Sequence, residues 1–298
     1  MSINEGDIYL IQSVQRGEPQ AWRQIIDRYQ GRLVSFARRM LAQPAEAEDL
    51  VQETFLGLLR SLPNYDRSRS LETYLFAILR NKLHDHFRST KRHPRQSLDS
   101  LDLDDAHESW LDRDTPSDRL DAREVLATQR EALVNCLRLY AEQCQEQNRF
   151  QELMIVEMLM VLGMRNKEVA ADLELTETAV AGVKFRVLER WREIAAQHEA
   201  ARDWQEADLA RDSTVAEIWR DEGISCLKRT TLGRFLLGAL DEDWNSYIDF
   251  HVQVVGCDRC QANLDDLKQE EAEAPARERL LERCFNSSVG FLSKRPAP

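Results

Sequence analysis

The chain has 298 residues, 31% of them charged, with a net charge of −12, only 11 glycines and 6 cysteines. That length holds two or three small domains, and the composition favours an all-α fold. No apolar run approaches the roughly 18–20 residues of a membrane span, and the opening MSINEGDIYL lacks the regions of a signal peptide. The expectation is a cytoplasmic protein without a membrane, its thiols reduced and free for metal or redox roles.

Residues 7–42 form a long amphipathic region punctuated at Gly17-Glu18-Pro19. Trp22, Ile25, Ile26, Tyr29, Leu33, Phe36, Ala37 and Met40 recur at three- and four-residue steps, the mark of a core-facing helix. In residues 46–62 a second pattern puts Val51, Phe55, Leu58, Leu59 and Leu62 on one stripe. Asp49, Gln52, Glu53, Leu56 and Arg60 fall opposite. That second face suits a basic partner with an apolar centre, and equally an ordinary solvated surface. After a turn at 62–66 a third pattern buries Leu71, Tyr74, Leu75, Ile78 and Leu79. Across from it lie Phe76, Arg80, His84, Phe87 and Arg88. Residues 67–95 hold eight Lys/Arg against two Asp/Glu. A basic patch in an acidic chain is the footprint of a phosphate-backbone binder, and its aromatics either stack on unpaired bases or fill a core.

Residues 97–124 are rich in Ser and Asp, with ten acids from Asp99 to Glu124 against three Arg, and Pro116 breaks them. Composition supports a spacer. Helical periodicity returns from 120 to 198. There Asn166 is expected to cap a helix over 167–173, Glu174-Leu175-Thr176 to form a tight connection, and Thr176 to cap a longer helix. This is the spacing of a helix-turn-helix, and also of a plain helical hairpin. In the former, Thr178, Ala181, Gly182, Phe185 and Arg186 project toward a DNA groove, with Lys184, Arg190 and Arg192 near phosphates.

A polar stretch, 199–215, leads to a third unit. Cys257-x2-Cys260 has the spacing of a metal knuckle; with His251 and Cys226 it makes a Cys3His set fit for Zn2+. Packed, reduced side chains are the competing reading. The step from His251 to Cys257 is six residues, so a helix through His251 must loosen before Cys257. Cys136, Cys144 and Cys284 have no neighbours at ligand spacing. Residues 272–285 are charged and helical in part, and 293–298 are expected to fray.

The words AEDLVQETFLGLLRSLPNYD and LETYLFAILRNKLHDHFR closely resemble the extracytoplasmic-function (ECF) sigma factors of the sigma-70 family. The stretch GEPQAWRQIIDRYQGRLVSFARRML is similar to the start of that segment, so this likeness covers residues 7–95. Tyr74-Leu75 stands where the family has Trp-Leu. The resemblance implies that Asp49, Gln52, Glu53 and Leu56 bind RNA polymerase core. It implies that Arg80, Asn81, Lys82, His84 and Arg88 face the minus-ten promoter DNA. Thr178, Ala181, Lys184, Phe185 and Arg186 would face the minus-thirty-five element, and the acidic linker would thread the polymerase. The C-terminal unit is similar to zinc-binding anti-sigma domains, in which the His precedes the first knuckle Cys by four positions. The expected division is 1–95 (core and minus-ten binding), 96–124 (linker), 125–198 (helix-turn-helix), 199–215 (linker), 216–268 (regulatory, Zn2+ on Cys226, His251, Cys257 and Cys260, touching the sigma domains) and 269–298 (tail). No phosphate-cradling loop, nucleophile elbow or metalloprotease helix occurs, so no enzyme is expected. A stand-alone repressor using only the helix-turn-helix and a polymerase-binding decoy are the alternatives.

Overall fold

The computed structural model describes residues 5–65, 69–91, 116–196, 212–270 and 272–292. The described residues are all-α, without a strand. The expected acidic spacer lies mostly outside them, as do most of the 199–215 stretch and residues 293–298, which the sequence predicts to fray.

The first bundle is α1 (Glu5–Gln15), α2 (Pro19–Met40), α3 (Pro44–Ser61) and α4 (Leu71–Lys91). Pro19 and Pro44 occupy first turns, where the missing N–H has no partner to lose. Gly17 at φ 84° makes the reversal between α1 and α2. Trp22, Ile25, Ile26, Leu33, Phe55 and Leu58 are fully buried at the centre, with Trp22 edge-on to Phe55 at 6.0 Å. Phe76, expected across from the buried stripe, is itself buried and edge-on to Phe36 at 5.2 Å. The α4 stripe is wider than the sequence suggested because that helix has neighbours on two sides.

The second bundle is α5 (Pro116–Glu146), α6 (Phe150–Val156) with a π-helical extension Glu157–Val161, α7 (Asn166–Asp172) and α8 (Glu177–Ala195). Pro116 opens α5 rather than breaking the chain. Arg165, not Asn166, occupies the cap position of α7: its N–H donates to Glu168 Oε2 at 2.8 Å. Thr176 caps α8 as expected, its Oγ1 accepting from Ala179 N–H at 3.2 Å. Glu174 takes φ 55° in the tight connection. Tyr140 and Trp191 meet edge-on at 5.8 Å in the core.

The remaining helices are α9 (Asp212–Glu222), α10 (Arg229–Leu236), α11 (Glu242–Asp249) with a π-helical extension Phe250–Val254, α12 (Asp258–Gln269) and α13 (Ala274–Ser288). They pack on both bundles. Val215, Ile218, Trp219, Leu232, Tyr247 and Ile248 share one core with Phe150 and Trp191. Ala262, Leu280, Leu281, Cys284 and Leu292 share another with α2 and α3. The helix read as part of a tail is thus built into the first bundle. Gly31 on α2 admits α12 closely, because a Cβ there would collide with the Asp266 and Arg277 side chains. Cys136, Cys144 and Cys284 are buried; burial pushes the thiols of Cys136 and Cys284 up to about 12 and that of Cys144 to about 11.

Candidate functional site

Cys226, His251, Cys257 and Cys260 converge. Their donor atoms all lie within 4.8 Å of one another, and they form a group that could hold a metal ion. Each arrives by a local device. Gly223, at φ 59°, turns the chain after α9 so that Cys226 faces inward; a Cβ on Gly223 would meet Cys226 Sγ at 2.9 Å. His251 lies in the π-helical turn that follows α11. That turn and Gly256 at φ 67° absorb the long step to Cys257, whose N–H donates back to His251 O at 3.3 Å. Cys257 occupies the position before α12 and Cys260 sits in its first turn.

The chemistry of this donor set fits a tetrahedral metal. Cys226 Sγ and Cys257 Sγ are 3.5 Å apart. Sulfurs about 2.3 Å from a tetrahedral centre are separated by about 3.8 Å. The Leu227 N–H donates to Cys260 Sγ at 3.4 Å, a bond that suits a sulfur carrying negative charge. His251 Nε2 is buried with no hydrogen-bond partner, which fits a nitrogen that ligates a metal. Hydrogen bonds from Cys226 and then Cys260 hold the Cys257 thiol well below its usual range, while hydrogen bonds with Cys226 and Cys257 push Cys260 well above its own, so the thiols share charge as a cluster.

The sequence reading missed Glu157. It begins the π-helical extension of α6 and is fully buried, yet its carboxylate touches the site: His251 Nδ1 lies 3.0 Å from Oε1. The available signal was a single charge in the apolar run Leu153–Leu162. Also missed was Arg259, inside the knuckle. Its guanidinium is buried over the Phe76 ring at 5.1 Å and donates to Thr73 Oγ1 at 3.1 Å, both on α4. Burial works against its charge, but nearby Cys226 and Glu72 outweigh that and raise its pKa.

The other candidate residues divide by surface. On α3, Asp49 and Glu53 are exposed and Gln52 and Leu56 half-buried. Arg283 of α13 approaches this face, 3.1 Å from Glu48 and 3.8 Å from Asp49. On α4, Asn81, His84 and Arg88 are exposed. Lys82 pairs with Glu53 at 2.9 Å, and Arg80 pairs with Asp221 of α9 at 2.6 Å. On α8, Thr178, Ala181, Phe185 and Arg186 are exposed and Lys184 half-buried; Phe185 is 65% exposed, high for an aromatic ring.

Glu222 stands where the two bundles and α9 meet. Its buried carboxylate receives Arg69 of the first bundle at 2.7 Å, Arg130 of the second at 2.8 Å and Arg138 at 3.8 Å.

Residues 25–93 match the model of the family Sigma-70 region 2. The chain is 36% identical over 80 residues to a probable RNA polymerase sigma factor of Haemophilus influenzae, covering 27% of this chain and 40% of that relative. It is 32% identical over 90 residues to the ECF RNA polymerase sigma factor SigW of Bacillus subtilis, covering 30% and 47%. A longer match, 24% identical over 196 residues, joins it to the ECF RNA polymerase sigma factor ShbA of Streptomyces griseus, covering 63% of this chain and 94% of that one. The chain therefore spans less than half of the first two relatives' length. It resembles the ECF sigma factors of the sigma-70 family, and the likeness is concentrated in α2, α3 and α4. Among the described residues no helix is long and apolar enough to cross a membrane.

Proposed function

We propose that the chain is a promoter-specificity subunit of RNA polymerase, a cytoplasmic initiation factor rather than an enzyme, carrying its own C-terminal inhibitor. Asp49, Gln52, Glu53 and Leu56 on α3 dock on the polymerase core. Arg80, Asn81, Lys82, His84 and Arg88 on α4 face the minus-ten DNA. The short helix α7, the turn and the longer helix α8 act as a helix-turn-helix whose Thr178, Ala181, Lys184, Phe185 and Arg186 face the minus-thirty-five DNA. Residues 212–292 act in cis, as an anti-sigma domain does on a separate chain. Cys226, His251, Cys257 and Cys260 hold Zn2+, which when bound cross-links the turn after α9, the π turn and the start of α12.

The observation that carries the inhibitory part is the pairing of α9 and α13 with the residues assigned to polymerase and promoter. Asp221 neutralises Arg80 at 2.6 Å, and Arg283 sits 3.8 Å from Asp49. A surface already matched in charge has lost its attraction for a second partner.

The test is binding to core polymerase and run-off transcription by the full chain and an Asp221→Ala, Arg283→Ala double variant. The expected result is weak binding by the parent and higher output from the variant. Equal or lower output overturns the inhibitory role. No binding to core by either overturns the specificity-subunit reading.

A further inference from the structure

The two π-helical segments among the described residues, Glu157–Val161 and Phe250–Val254, belong to different parts of the chain and meet at one hydrogen bond. Glu157 opens the first and His251 lies in the second; Oε1 and Nδ1 are 3.0 Å apart. A π turn is a rare departure from the helix, and it gathers at functional sites because it re-aims a side chain that an α-helix would point elsewhere. Two such departures serving one contact are a second sign beyond the contact itself.

Glu157 also stands in the wrong place for a structural acid. It is fully buried, and removing a carboxylate from water costs several kcal/mol unless donors surround it. They do. Ser225 Oγ donates to Oε1 at 2.6 Å and Tyr247 OH donates to Oε2 at 3.2 Å. Ser225 is held in turn by Trp219 Nε1–H at 2.8 Å, which fixes the direction of its proton toward Glu157. A neutral imidazole that donates from Nδ1 to this carboxylate presents a lone pair at Nε2. Nε2 is the atom left buried and unpaired. A histidine that gives one N–H to a carboxylate and the other nitrogen to a metal is the usual pattern of outer-sphere support.

We propose that Glu157 is the outer-sphere carboxylate of the metal centre, so that the bundle bearing the helix-turn-helix sets how tightly the C-terminal unit holds its metal. This rests on the metal centre proposed above and names its regulation. By linkage, whatever separates α9 and α11 from the Glu157 turn weakens metal binding, and metal loss loosens that docking by the same factor.

The experiment uses the full chain, zinc and a competing chromogenic chelator. The parent should bind one zinc, and Glu157→Gln should bind one zinc about 10- to 100-fold more weakly. Melting with and without zinc separates this from simple packing. A packing residue lowers both melting temperatures alike, whereas an outer-sphere residue shrinks the gain that zinc confers. Unchanged zinc affinity in the variant overturns the proposal and leaves the metal centre standing; a parent that binds no zinc overturns both. Should Glu157→Gln fail to fold, nitrogen-15 spectra of the zinc-loaded parent decide. His251 with a proton on Nδ1 and metal on Nε2 is expected, and metal on Nδ1 overturns the assignment.

Discussion

The C-terminal helices meet the two bundles through seams of different chemistry. Against the second bundle the seam is an apolar core: Trp219 lies 6.5 Å from Trp191, and Phe150 stacks on Tyr247 at 5.0 Å. Against the first bundle a smaller apolar contribution is bordered by arginine–carboxylate pairs. Arg38 meets Glu273 at 2.8 Å, Arg39 meets Asp265 at 3.4 Å and Arg23 meets Glu278 at 3.0 Å. An apolar core is indifferent to salt and hard to open in part. A ring of half-exposed ion pairs gives way to salt or to a competing charged surface. Release is therefore expected at the first bundle, with α9 to α11 staying on the second.

The largest effect should come from cutting the apolar seam. Trp219→Ala removes a ring that is 2% exposed, and should cost about 3–5 kcal/mol in urea denaturation. A loss under about 1 kcal/mol would mean that the second seam is no firmer than the first, and the contrast would collapse.

Next in size is the junction. Glu222→Ala leaves Arg69, Arg130 and Arg138 without their shared acceptor. Breaking a fully buried pair costs about 3–5 kcal/mol. Here Arg69 and Arg130 keep some access to water, so about 2–3 kcal/mol is expected. Because the Glu222 carboxylate pairs with arginines of both bundles, this change should also raise binding to polymerase core, whereas Trp219→Ala acts through stability alone. A denaturation midpoint equal to the parent's would remove Glu222 from the comparison.

How much of this was legible in the sequence follows from what each feature depends on. The Thr176 cap and the tight turn before α8 are set by neighbours in the chain, and they formed as the pattern implied. The Cys257-x2-Cys260 knuckle was legible because its spacing is a local matter, and Cys226 and His251 were added to it as the remaining thiol and imidazole of that unit. Its long His251 to Cys257 step looked like a defect, since a sequence does not reveal that a π turn and Gly256 absorb the extra residues. Phe76 and Glu157 were misread or passed over for a common reason. Their partners, Arg259 and His251, lie far along the chain, and periodicity reports only which face of a helix is apolar.

Salt should sharpen the contrast with a smaller effect. Raising ionic strength from 0.1 to 1 M shortens the screening length from about 10 Å to about 3 Å. Amide exchange should then quicken in α12 and α13 where they face α2, while α9 and α11 hold their protection. Uniform quickening would mean that the two seams are equally sensitive to salt and argue for opening as one unit.

The smallest effect is the one that bears most directly on docking. Arg283 is 41% exposed and Asp49 69% exposed, with 3.8 Å between their charges. A pair this open contributes about 0.2–1 kcal/mol, so Arg283→Ala should leave stability almost unchanged. If Arg283 competes with polymerase for the α3 face, its removal raises affinity for core by less than about fivefold. Exposure alone would give the same rise, so the deciding measurement is a double-mutant cycle with Asp49→Ala, read in core affinity. Competition for one carboxylate makes the two changes non-additive: Arg283→Ala gains nothing once Asp49 is gone. Additive effects would mean that Arg283 acts elsewhere, and the ionic seam would then be a matter of folding and not of access.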